Sequence, residues 1–126
     1  MNLKNIHHVA IICSEYEKSK EFYTKILGLE IIREVYRKER ESYKLDLKLG
    51  DSQIELFSFP NAPERPSYPE SCGLRHLAFQ VEDVEKTADE LQSKGIMVED
   101  IRIDEFTGKK FTFFSDPDGL PLELYE

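Results

Sequence analysis

A chain of 126 residues, 40% hydrophobic and 33% charged, is long enough for one domain with a real core and too apolar to stay disordered. Its net charge of −8 argues against nucleic acid or an anionic membrane surface as partner, and no apolar run reaches the roughly 20 residues a bilayer-spanning helix needs. The opening MNLKNIHHVAIICSE has no small-residue cleavage site, and Cys13 and Cys72 show neither CxxC spacing nor the number for a disulfide framework, so a cytoplasmic protein with reduced thiols is expected.

In chain order, residues 6–12 alternate as a first strand. Ser14-Glu15-Tyr16-Glu17 reads as a capping box, and Tyr16, Phe22, Tyr23, Ile26 and Leu27 then share one helical stripe that Gly28 ends. EIIREVYR, YKLDLKL and SQIELFSF follow as alternating strands, the last two joined by a Gly50-Asp51 turn. PNAPERPSYPESC (60–72) holds four prolines and should cross the surface without a helix or a central strand. A strand over 75–81 and a helix over about 84–94, closed by Gly95, come next. MVEDIRI, KFTFFSD and LPLELYE supply three more strands, the last pair joined through Asp116-Pro117-Asp118-Gly119.

The chain repeats itself. HHVAIICSEYEKSKEFYTKILG and RHLAFQVEDVEKTADELQSKG both start with His in a strand and run on into an amphipathic helix that ends at Gly. His8 and His76 are 68 residues apart, and so are Glu55 and Glu123 in the matching strands IELFSF and LPLELYE. Agreement of both offsets across insertable loops marks a duplicated module, about 4–59 and 73–126, within one domain spanning 1–126. Two βαβββ units imply an α+β fold, with helices backing mixed sheets.

Alternation sets the faces. His8 sides with Ala10 and Ile12, Glu55 with Gln53 and Phe57, His76 with Ala78 and Gln80, and Glu123 with Pro121 and Tyr125. Each lies opposite the apolar residues that should pack on a helix, and repeat symmetry would gather the four on one concave surface. His7 falls on the helix side and is expected to be structural. Two carboxylates in a partly enclosed site repel, whereas a divalent cation suits deprotonated Glu and neutral His together. Four N/O donors without thiolate fit Zn²⁺, Ni²⁺, Co²⁺, Fe²⁺ or Mn²⁺.

HHVAIICSEYEKSKEFYTKILGLEII, IELFSF, GLRHLAFQVEDVE and FTFFSDPDGLPLELYE resemble the vicinal oxygen chelate superfamily, which includes glyoxalase I, extradiol dioxygenases, methylmalonyl-CoA epimerase and fosfomycin and bleomycin resistance proteins. The resemblance is greatest to small bacterial glyoxalase I-like proteins of the YaeR kind. It implies paired βαβββ modules cupped around one divalent metal held by His8, Glu55, His76 and Glu123, with Ni²⁺, Co²⁺ or Zn²⁺ expected ahead of Fe²⁺ or Mn²⁺. A His-Glu-His-Glu set favours the glyoxalase branch, because the epimerase carries Gln at the second position and the dioxygenases use two His and one carboxylate.

On that likeness the expected activity is a lactoylglutathione lyase-like isomerisation, detoxifying methylglyoxal as its hemithioacetal with glutathione or another thiol. Glu123 is the leading proton-abstracting base, Glu55 is able to share the role, and the metal stabilises the enediolate. The likeness also implies a small-molecule substrate and a homodimer, with the metal site either within one chain or shared by two. Basic residues cluster at Arg33, Arg37, Arg40 and Lys44 and again at Arg65, Arg75, Lys109 and Lys110; of these, Arg37 and Lys109 are the expected substrate contacts. The alternatives are another metalloenzyme of the superfamily (dioxygenase, epimerase or thiol transferase) and a non-catalytic antibiotic-binding protein.

Overall fold

The computed structural model describes residues 1–126 as two compact units, Met1–Glu64 and Arg65–Glu126. The first unit runs β1 (His8–Cys13), α1 (Tyr16–Glu21), β2 (Glu30–Arg37), β3 (Ser42–Leu49) and β4 (Ser52–Ser58). Its sheet has the order β1-β4-β3-β2, with β1 parallel to β4 and the other neighbours antiparallel. The second unit repeats the plan: β5 (Leu77–Gln80), α2 (Val84–Ser93), β6 (Arg102–Ile103), β7 (Lys110–Ser115) and β8 (Pro121–Tyr125), in the order β5-β8-β7-β6 with β5 parallel to β8. Two helices and two four-stranded mixed sheets make the expected α+β pair of βαβββ modules.

Parity of the strands decides what is buried. In the first unit Ile11, Cys13, Leu45, Leu47, Ile54 and Leu56 form the helix-facing side of the sheet and are buried with Tyr16, Phe22 and Tyr23 of the helical segment. In the second, Leu122, Leu124 and Phe114 are buried with Val84, Ala88 and Leu91, which fall on one stripe of α2. Asp83 caps α2 by accepting the Lys86 amide at 2.9 Å, and Gly95 closes it with φ +83°, a conformation for which a Cβ is unfavourable.

Four expectations are corrected. The first helix begins at Tyr16, with Glu15 as its cap residue and no hydrogen bond from the Glu15 side chain. After Glu21 it widens into a π-helical turn, Phe22–Ile26, where the Leu27 amide reaches back to the Phe22 carbonyl at 2.9 Å. Of MVEDIRI only Arg102 and Ile103 join the ladder, although the Glu99 amide still bonds the Phe113 carbonyl at 2.9 Å. His7 is exposed and precedes β1 rather than packing beneath it. The proline-rich stretch 60–72 contains no helix or strand, as its four prolines predict. No helix is long and apolar enough to cross a membrane.

Candidate metal centre

In each unit the parallel strand pair brings one histidine to one glutamate. β1 and β4 run side by side with Ala10 opposite Glu55, so His8, two residues back on the same face, leans over the carboxylate. His8 Nε2 lies 3.2 Å from Glu55 Oε2. In the second unit Ala78 is opposite Glu123, and His76 Nε2 lies 2.9 Å from Glu123 Oε2. Both glutamates are buried, while the imidazoles are half-exposed. The four residues thus form two equivalent pairs, one per unit. In neither unit does a third His, Cys, Asp or Glu complete a cluster able to hold an ion.

The pair geometry fits metal donors. Two ligand atoms held at about 2.1 Å from one ion stand about 3 Å apart at right angles, which is close to both observed N···O separations. An imidazole nitrogen and a carboxylate oxygen suit first-row divalent ions. His8 also has the outer-shell support such ligands need: His7 Nδ1 lies 3.0 Å from His8 Nδ1, the rings meeting edge to face. A hydrogen bond there steers the His8 tautomer and leaves Nε2 facing Glu55. His76 is braced instead by the edge-to-face ring of Phe113, with centroids 5.1 Å apart.

The surroundings of the two glutamates differ. Asp46 lies across the ladder from Glu55, and Lys44, two residues before it on the same face of β3, bridges both carboxylates. Lys44 Nζ is 2.9 Å from Glu55 Oε1 and 2.5 Å from Asp46 Oδ1, while Arg33 Nε holds Asp46 Oδ2 at 3.3 Å. Burial pulls the Lys44 ammonium down, but its bonds to Asp46 and Glu55 outweigh that and hold it above the ordinary lysine range. Burial likewise pushes the Asp46 carboxyl up, and Lys44 and Arg33 overcome it, so that the group sits below the usual carboxylate range. Opposite Glu123 stands Phe113, and no lysine or arginine of the second unit pairs with that carboxylate. From sequence alone Lys44 is one member of the basic cluster Arg33, Arg37, Arg40 and Lys44, and Asp46 has no role. The signal available was the strand parity that puts 44, 46 and 55 on one face.

Neither substrate-contact candidate bonds a residue of these pairs. The Arg37 guanidinium sits 4.8 Å from the Phe57 ring centroid and donates to Ser42 Oγ at 2.8 Å; its Nε is buried without a hydrogen-bond partner. Lys109 is exposed on the loop before β7. A cleft of about 840 Å³ in the second unit is lined by His76 together with Arg75, Arg102, Tyr68, Met97 and Phe113, and Lys109 lies outside that lining. The Arg102 guanidinium rests over the Phe111 and Phe113 rings at 5.0 and 5.6 Å, a cation–π arrangement that holds its charge in the lining of the cleft.

Residues 5–124 match the Glyoxalase/Bleomycin resistance protein/Dioxygenase superfamily. The chain belongs to that superfamily. It is 64% identical to YwkD of Bacillus subtilis, covering 100% of this chain and 99% of that protein. It is also 58% identical to YaeR of Escherichia coli, covering 100% and 98%. Among solved structures, that of SMU.1112c is 56% identical, with a TM-score of 0.97 over 99% of this chain and 100% of that one. More distant superfamily members include a probable lactoylglutathione lyase of Vibrio cholerae, 27% identical over 100% of this chain and 93% of that protein. The human mitochondrial methylmalonyl-CoA epimerase is likewise 27% identical, over 98% and 74%.

Proposed function

We propose that the chain is a single domain, that His8, Glu55, His76 and Glu123 are ligands of a divalent metal ion, Ni²⁺, Co²⁺ or Zn²⁺, and that the chain isomerises the hemithioacetal of a 2-oxoaldehyde and a thiol. The observation that carries this reading is the repetition of one His–Glu pair, at 3.2 and 2.9 Å, on equivalent strands of two duplicated units. The superfamily likeness supports it, since a lactoylglutathione lyase is among the distant members. When bound, the ion supplies Lewis acidity towards the two adjacent oxygens of such a substrate.

The residues of the chain do the rest. Glu123 takes the proton from the carbon beside the carbonyl and returns it to the neighbouring carbon, a transfer worth about 10²–10⁴-fold when the base is well placed. Glu55 is the alternative base but is tied to Lys44. Phe113 lines the cleft beside His76 and, with the exposed Met97 and Tyr68, gives it apolar surface on which a small substrate can rest. Arg75 and Arg102, which line the cleft, are basic groups able to hold the anionic end of the thiol, and Arg37 and Lys109 stay proposed substrate contacts. The reading carries a homodimer working in the cytoplasm on methylglyoxal adducts.

Metal analysis of the purified protein, followed by a hemithioacetal isomerase assay with each metal restored, tests the proposal. Stoichiometric Ni, Co or Zn with turnover is the expected result. Bound Fe²⁺ with oxygen uptake would assign a dioxygenase instead, and a metal-free protein that retains an antibiotic would assign a binding protein.

A further inference from the structure

Glu55 and Glu123 hold equivalent places in the repeat, yet only Glu55 has a cation of the protein on it. Lys44 Nζ stands 2.9 Å from Glu55 Oε1, the oxygen that does not face His8. The ammonium is anchored from behind by Asp46, which is 2% exposed and is itself held by Arg33. Lys44 also lies 5.8 Å from the Phe57 ring centroid, its cross-strand neighbour. A lysine gripped by a buried aspartate and flanked by a ring is not a floating surface charge. It cannot leave Glu55 freely, because Asp46 would keep it close by. The charges of this cluster therefore balance without any ion, two acids (Asp46, Glu55) against two bases (Lys44, Arg33).

We infer that Lys44 is a resident counter-ion of Glu55, compensating that carboxylate when no metal is bound and weakening metal binding by keeping a positive charge beside it. The inference rests on the reading of Glu55 as a metal ligand. An incoming divalent cation meets a carboxylate whose Oε1 is already occupied, so Glu55 offers the ion Oε2 alone. The ion also meets the repulsion of an ammonium in a partly buried site, where the effective dielectric is well below that of water. Glu123, facing only His76 and the Phe113 ring, carries neither handicap. Lys44 is thus a positioning residue: it fixes Glu55 as a one-oxygen ligand and lowers the affinity of the site for metal.

The test is calorimetric titration of the chelator-treated full chain with Co²⁺, alongside thermal unfolding with and without the metal. K44M, which keeps the length of the side chain and removes its charge, should bind Co²⁺ at least about ten-fold more tightly than wild type, the size usual for outer-shell changes. It should also melt at a lower temperature when metal-free and gain more from added Co²⁺. A merely structural role would loosen metal binding, so the direction of the change is diagnostic. Should K44M not fold, K44Q is read in the same way. Equal or weaker Co²⁺ binding by the neutral variant overturns the inference. E55Q and His8→Ala separate the two levels: if they weaken Co²⁺ binding while K44M fails to tighten it, only the role of Lys44 falls. If wild type takes up no Co²⁺, or E55Q binds it unchanged, the metal-centre reading fails and this inference with it.

Discussion

Phe113 occupies in the second unit the place that Asp46 occupies in the first, each lying directly across the ladder from its unit's glutamate. The duplication kept the His–Glu pair and let the neighbouring strand position diverge, to a charge in one copy and a ring in the other. Glu55 is consequently restrained at both oxygens, by His8 and Lys44, and Glu123 at only one, by His76. Two carboxylates in matched positions thereby become suited to different work.

The first prediction follows from that inequality. E123Q should lower turnover of a hemithioacetal by about 10²–10⁴-fold, the usual loss of a general base, while retaining most metal. E55Q should lower metal occupancy and turnover together, with partial recovery in excess metal. Steady-state kinetics at measured metal content distinguish the two. Unchanged turnover in E123Q removes Glu123 as the base.

How much of this was legible beforehand depends on which quantity each feature needs. Strand parity alone assigns a face, and it put His8, Glu55, His76 and Glu123 on the faces they occupy. The repeat offset of 68 was equally local, since it needs only residue numbers. The Lys44 bridge needs register as well: residue 44 meets 57, and 46 meets 55, only because the hairpin turns at Gly50-Asp51. Arg33 reaches Asp46 past a break in register between Ile31 and Arg33, which no alternation rule announces. MVEDIRI misleads because only its last four residues alternate, and the ladder forms only at the last two. Tertiary pairing, not propensity, decides such short edge segments.

A second prediction concerns acid. Burial raises the Asp46 carboxyl, but Lys44 and Arg33 lower it further than burial raises it, leaving its folded value below that of the unfolded chain. Stability from this group is therefore fully present above the unfolded value of about 3.9, and it drains away as pH falls through the lower folded value. Metal-free wild type should lose stability more steeply than D46N from about pH 5 downward, with the two curves converging at the acid end. Chemical denaturation at a series of pH values measures the slopes; parallel curves would contradict the pairing.

A third prediction addresses how the first helix is tied to its sheet. The Tyr16 hydroxyl donates to Glu34 Oε2, which Lys20 Nζ also meets at 2.8 Å, and the Tyr16 ring stacks on Tyr43 with centroids 4.3 Å apart. Burial and the Glu34 charge push the phenol far up, so it remains a neutral donor across the working pH range. Y16F keeps the stack and leaves Glu34 to Lys20, and should cost about 1 kcal/mol. Y16A also removes a buried ring and should cost about 3–5 kcal/mol. Thermal melts of both variants separate the hydrogen bond from the packing; equal losses would mean that the ring contributes nothing.

The final prediction separates the two faces of one strand. Leu122 precedes Glu123 in β8, and because successive side chains point to opposite sides, it is fully buried opposite the face that carries the carboxylate. It pairs with Leu77 on one side and Phe114 on the other, in the central strand of the three. Truncating it to Ala leaves a void that its neighbours close only in part, costing about 2–5 kcal/mol. The His76–Glu123 pair lies across the sheet from that void, so metal affinity measured well below the melting temperature should change less than about three-fold, the two side chains pointing to opposite faces. A large stability loss with preserved Co²⁺ binding is the expected outcome for Leu122→Ala. Affinity that falls in step with stability would show that the packing side and the ligand side of β8 are one coupled element.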